Sequence, residues 1–182
     1  MRTDRTFCRF SKNPATASFS VTEIPEAGLC LSSFVLLTSE EHPQSVLMGH
    51  MDPRAPWDHL GALDPSRVEA HRHGWMLPSS HLLYGESPAA GAERVVKEQL
   101  GLAPRPLQGP QVVSELYAPA RFPDSKGHWD LEFLFRGSLS EGAVPRNEAW
   151  TELRFVDTTR VARKEIARSH EDVLASAGFP IP

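Results

Sequence analysis

The chain has 182 residues, 40% of them hydrophobic and 23% charged, with a formal net charge of −4 at pH 7. That length suits one domain with a real core, and the composition excludes a disordered chain. A mildly acidic balance gives no basis for non-specific binding to DNA or RNA, so a small molecule is the expected partner.

Residues 1–17 are polar and interrupted by proline, so they read as an arm ahead of a single domain spanning 18–182. The N-terminus lacks the apolar centre of a signal peptide, and no run nears the roughly 18 apolar residues of a membrane span. A cytoplasmic protein without membrane contact is expected. Cys8 and Cys30 cannot build a disulfide framework and lie at no metal-ligand spacing. Phe19 to Ile24 alternates like a strand, Leu29 to Thr38 is a β-rich apolar run suited to a central strand, and Ser45 to Met51 returns as its hairpin partner.

From about 52 to 74 the sequence turns irregular, with three prolines, two glycines and three histidines. Within it, Asp64-Pro65 is an N-cap followed by proline at the first helical position, which predicts a short helix to His71. His71-Arg72-His73 has no second ligand pair at a zinc-like spacing and reads as an exposed loop. Ser87-Pro88 opens a further helix in the same way as Asp64-Pro65, and Gly101 ends it as a C′ residue. Gln111 to Ala118 and His128 to Leu139 read as strands around a polar loop at 121–127. The second places Trp129, Leu131, Phe133 and Phe135 on one face. Trp150 to Val156 is the last strand, and Asp157 opens a closing helix to about Ala177, its charged face solvated. Trp57, Trp129 and Trp150 read mainly as core residues, with stacking against a ligand as the other duty such rings perform.

The stretch WMLPSSHLLYGESPAAGAERVVKEQLGL, from Trp75 to Leu102, carries the most specific signal. It resembles the Nudix box, G-x5-E-x7-R-E-U-x-E-E-x-G-U with U aliphatic, the signature of a superfamily of pyrophosphohydrolases. Glu86, Arg94, Val96, Glu98, Gly101 and Leu102 match. Ser80 stands for the opening glycine, Val95 for the glutamate after the arginine and Gln99 for the last glutamate. The resemblance implies an α/β (α+β) fold, an α/β/α sandwich with a mixed sheet between helices. Against that pattern, residues 52–74 are an insertion of roughly twenty residues, a length uncommon in a loop without a function.

The resemblance also implies chemistry. In the family, three box glutamates and a glycine carbonyl collect Mg²⁺ or Mn²⁺, which bind the diphosphate and activate water. Hard cations need oxygen ligands, preferably anionic. Here valine offers no donor and an amide brings no charge, so Glu98 is the full ligand and Gln99 a neutral one. Glu152 is the outside glutamate that could serve as base or ligand, with Glu148 and the Asp130/Glu132 pair as further candidates. Glu86 and Gly101 are expected to shape the loop. Arg94 is expected to brace that loop with Glu86 or to touch ligand, and Ser80 and His81 lie where a ligand would meet the box. Two functions stay open: a module binding a nucleotide-like phosphorylated molecule with little or no hydrolysis, needing no metal, or a divalent-metal pyrophosphohydrolase using Glu98 with a glutamate outside the box. The family also makes a homodimer an expectation.

Overall fold

The computed structural model describes residues 29–117, 128–144, 146–179 and 181–182. The expected arm, the strand at Phe19 to Ile24 and the loop at 121–127 lie outside these residues.

Strand β1 (Leu29–Ser39) is the spine of a six-stranded mixed sheet. One of its edges pairs in parallel with β5 (His128–Leu139) along its whole length, from Leu29↔Trp129 to Ser39↔Leu139. The other edge is shared: β3 (Ser79–His81) pairs at Ser32–Phe34, and β2 (Ser45–Met51) meets it at Thr38↔Val46. Beyond β5 lies β4 (Gln108–Tyr117), and β6 (Trp150–Asp157) pairs with β2 at the far edge. A strand enclosed on both faces needs apolar residues in succession, and Phe34 to Leu37 supply them, all four buried.

Alternation along the strands sends their side chains to two separate cores. Val35, Leu37, Leu47 and Phe135 pack against helix α3 (Pro88–Glu98) through Ala92, Val95 and Val96. On the opposite face Phe34, Leu36, Met48, Leu134 and Val156 pack against Val173 and Leu174 of α4 (His170–Ser176). The mixed sheet therefore lies between helices, as the sequence implied. Helix α3 approaches β1 closely at Gly91, where a Cβ would stand 2.6 Å from the Leu82 side chain. Ser33 Oγ donates to Pro88 O at 2.8 Å beside it. The Ser87 side chain accepts from Ala90 N, and Gly101 ends the helical segment at φ +65°.

Two expectations change. The closing helix is not continuous from Asp157: two 3-10 turns, Thr158–Arg160 and Arg163–Glu165, precede the short α4. Asp157 does cap a turn, accepting from Thr159 N at 3.0 Å. Trp75 N then donates to Glu165 O and Ala167 N to Trp75 O, both at 2.8 Å. These tertiary bonds hold Ile166 extended beside Trp75, and left-handed Arg168 and Ser169 complete the break.

The 52–74 insert is the second change, because its irregular sequence forms two short helices that anchor in the core through Trp57, Leu63 and Val68. It forms α1 (Trp57–Leu60) and α2 (Pro65–His71), the latter capped by Asp64 as its sequence required. Trp57, Leu63 and Val68 join Met51, Met76 and Trp150 in a third apolar cluster. His71 is half-buried and His73 exposed at the end of α2.

Candidate functional site

The loop before α3 is held by one guanidinium. Arg94 forks onto Glu86, with Nε to Oε1 at 2.8 Å and Nη2 to Oε2 at 2.9 Å. Its Nη2 also donates to His81 O, and its Nη1 to Ser80 Oγ at 3.0 Å. Leu83 N donates to Glu86 Oε2, so the carboxylate serves the loop backbone as well. Charge-assisted, two-point contacts of this kind are strong and directional. Both side chains are only about one-tenth exposed. Arg94 and Ser80 are committed to this brace, which does not fit the expectation that they touch ligand.

Gln99 follows α3 directly and is fully buried. Its amide oxygen accepts from Ser79 N at 3.1 Å. Its amide nitrogen donates to Ser79 O at 2.7 Å and to Leu60 O at 2.8 Å. The neighbours fix which atom is which, since a backbone N–H needs the oxygen and two carbonyls need the NH₂. Gln99 is thus a clasp joining α3, the loop that begins the box and the insert. As a metal ligand it is displaced: its oxygen is engaged, and hydrogens stand where a cation would need lone pairs. Trp150 strengthens the closure, its Nε1 donating to Gln99 O at 2.8 Å while its ring meets Trp57 edge-on at 5.1 Å. Both indoles are core residues.

Val95, one turn earlier, is fully buried among Leu47, Val35 and Phe135. Of the three box positions on this helix only Glu98 keeps a carboxylate, and it is half-buried. Asn147 Nδ2 donates to its backbone oxygen at 3.3 Å. Glu152 does not join it. Leu153 and Phe155 of β6 pack toward α3, whereas Val156 lies in the opposite core. Alternation assigns Glu152 and Arg154 to the face away from α3. There Arg154 Nε donates to Glu152 Oε1 at 2.6 Å, and its guanidinium lies 4.6 Å above the Trp75 ring. Glu148 is exposed in the turn before β6, beside an open cleft of about 980 Å³ that Arg146, Glu152 and Arg154 also line. Among the described residues no three His, Cys, Asp or Glu side chains are grouped to hold a metal ion. The residues present do not fit the divalent centre that the box resemblance implied.

A different polar cluster stands on the α4 face of the sheet. Register puts Ser32 beside both His81 and Glu132, Cys30 beside Asp130, and Asp130 beside Glu115. Glu132 is only 4% exposed, and its Oε2 has no hydrogen-bond partner among the described residues. Burial, and then the neighbouring Asp130, Glu115 and Asp172 carboxyls, push its pKa up to about 8. The Cys30 thiol is pushed up to about 11 by burial and by Asp130, so it is no nucleophile at neutral pH. Arg168, lowered to about 10 by burial and by Arg67, faces the same carboxyls with its Nε buried. Of the Asp130/Glu132 pair that the sequence offered as further candidates, Glu132 is buried and Asp130 half-buried, and neither lies on the α3 face with Glu98.

No protein-family model matches the chain, and no curated protein matches it. Solved structures do. A NUDIX hydrolase from Nitrosomonas europaea superposes with a TM-score of 0.50 at 16% identity, covering 84% of this chain and 92% of that one. A MutT NUDIX hydrolase from Burkholderia pseudomallei gives 0.49 at 14% identity, over 75% of this chain and 92% of the other. The NUDIX domain of Shewanella oneidensis NrtR, solved with ADP ribose, gives 0.46 at 16% identity, over 74% and 77%. The first of these likenesses establishes the fold, a Nudix fold.

Proposed function

Taking the Nudix fold as premise, we propose that the chain binds a nucleotide-like phosphorylated molecule without hydrolysing it through the box. The observation that carries this reading is the Gln99 clasp, whose amide occupies the Ser79 and Leu60 carbonyls. A glutamate there would set its oxygens against those carbonyls unless a cation lay between. The protein has instead an amide that satisfies both without metal. Val95 in the core removes a second ligand, and Glu98 alone cannot assemble a metal cluster. The intact Glu86–Arg94 brace keeps the loop in shape for a ligand, whether or not it is turned over. The competing hydrolase reading relies on Glu98 acting with a glutamate outside the box; alternation assigns Glu152 to the opposite face of the sheet, and Glu148 is exposed in the turn before β6.

Two measurements test the proposal. Nucleoside triphosphates, dinucleoside polyphosphates, nucleotide sugars and ADP-ribose are incubated with the protein and Mg²⁺ or Mn²⁺, and phosphate release is assayed. Calorimetric titration of the same panel is run with EDTA. We expect no release above background and binding that survives chelation. Rapid metal-dependent cleavage by the unaltered chain would reject the proposal, as would absence of binding by every compound.

A further inference from the structure

Strand β6 ends the sheet, so one of its edges has no strand beside it among the described residues. The register shows which residues turn their backbone to that edge. Gly49 exchanges both of its bonds with Met76 on the far side of β2, its N donating at 3.0 Å and its O accepting at 3.1 Å. Its antiparallel partner Leu153 therefore directs N–H and C=O away from β2, and Phe155, two residues on, does the same. Thr158 N donates to Gln44 O at 3.4 Å, which keeps that alternation in step. The edge borders the open cleft of about 980 Å³, whose other wall carries Val144 and Arg146. Exposed edges are usually guarded by lysine, proline or a bulge. The bulge here lies at His50/Met51, opposite the start of β6, and Leu153 to Phe155 include no lysine, proline or bulge.

We propose that this edge receives the β6 strand of a second copy of the chain, antiparallel about a two-fold axis at Leu153. Charge selects that occupant. An axis there sets Glu152 of each copy opposite Arg154 of the other, so the complementary pair is made twice. These pairs flank a hydrogen-bonded Leu153–Leu153 pair, which puts them at the narrow positions where facing side chains stand closest. Both side chains are about half exposed, 46% and 56%, and can reach across the edge. On the α3 face, half-buried Leu153 meets its counterpart, and half-buried Phe155 of each copy faces Thr151 of the other. Other registers fail. An axis at Glu152 or Arg154 presents backbone groups already given to β2. An axis at Phe155 sets Arg154 against Val156 and Leu153 against Asp157, and one at Thr151 falls in the bulge. A parallel arrangement brings like charges together.

The test is sedimentation equilibrium of the full chain over a micromolar concentration series, alongside Glu152→Arg, Arg154→Glu and the double exchange. The parent should associate to a dimer. Each single substitution opposes like charges twice and should weaken association roughly tenfold or more. The double exchange restores opposite charges at both positions and should restore the dimer. Glu152→Arg mixed with Arg154→Glu should pair as a heterodimer, since one copy then carries two arginines and the other two glutamates. Circular dichroism checks that each variant is folded. Should Arg154→Glu fail to fold without its contact to Trp75, Glu152→Gln still decides: it should weaken association less than Glu152→Arg does. A parent that stays monomeric throughout would overturn the proposal and leave the edge to an extended segment of another protein. A dimer indifferent to both single substitutions would overturn it as well, by placing the contact elsewhere.

Discussion

Gln99 shows how one amide can close what a carboxylate would leave open. Glutamine and glutamate have the same length and shape, but only the amide carries hydrogens toward Ser79 O and Leu60 O while keeping its oxygen for Ser79 N. Replacing it by Gln99→Glu sets a buried anion against two carbonyls and removes two donors. Leaving buried groups unmatched costs about 1–3 kcal/mol each, and more when a charge is involved. We expect Gln99→Glu to lose about 3 kcal/mol or more by urea denaturation in EDTA. Millimolar Mg²⁺ or Mn²⁺ should recover part of that loss, because a cation between carboxylate and carbonyls replaces the missing hydrogens. A variant as stable as the parent in EDTA would show that the clasp is unimportant. Val95→Glu should be worse and should respond less to metal, since its carboxylate enters a core of Leu47, Val35 and Phe135.

At the scale of elements, the insert is part of the core and not an appendage to it. Trp57 is held by its Nε1 donating to Asp52 O at 2.9 Å and by the Trp150 ring, and Leu63 N returns to Trp57 O. Truncating a buried tryptophan costs about 3–5 kcal/mol. Trp57→Ala should therefore lower the Tm by roughly 10 °C, given 2–4 °C per kcal/mol at this size. Faster hydrogen exchange should follow across 52–74 and also at Ser79 N, which the clasp connects to the insert. Exchange confined to the insert would mean the two are independent. How far such elements were legible depends on the range of the signal. Asp64-Pro65 and Ser87-Pro88 announce their helices because a cap acts within three residues. The alternation of Trp129 to Phe135 was equally readable. Order in the insert was not legible, because its cohesion comes from Trp150 and Met76, distant in sequence. The broken closing helix was hidden for the same reason: Trp75, some ninety residues earlier, holds Ile166 extended. In the candidate site, the loss of box carboxylates could be seen in Val95 and Gln99. That the amide would fasten the insert to the box could not, since Leu60 belongs to no motif.

At the scale of the molecule, two buried groups on the same side of the sheet oppose each other in pH dependence. Glu132 has its pKa raised from 4.5 to about 8, so near neutrality the folded state holds a proton that the unfolded chain has released. Its favourable contribution is complete below about 4.5 and is lost as pH rises toward 8. His170 behaves the other way. Burial, with Arg168 and His71 nearby, holds it well below 6.5, and its Nδ1 accepts from Leu77 N at 3.0 Å, which requires the neutral ring. The unfolded chain takes up a proton there below about 6.5, so stability falls as pH falls. Between pH 4.5 and 6.5 the two slopes cancel, and above 6.5 Glu132 acts alone. One proton of difference corresponds to about 1.4 kcal/mol per pH unit. We expect the unfolding free energy of the ligand-free protein to decline from pH 6.5 to 8 at up to that slope. In Glu132→Gln the decline should vanish while the acid-side fall persists. A parent protein with flat stability over that interval would mean that Glu132 is ionised in the folded state.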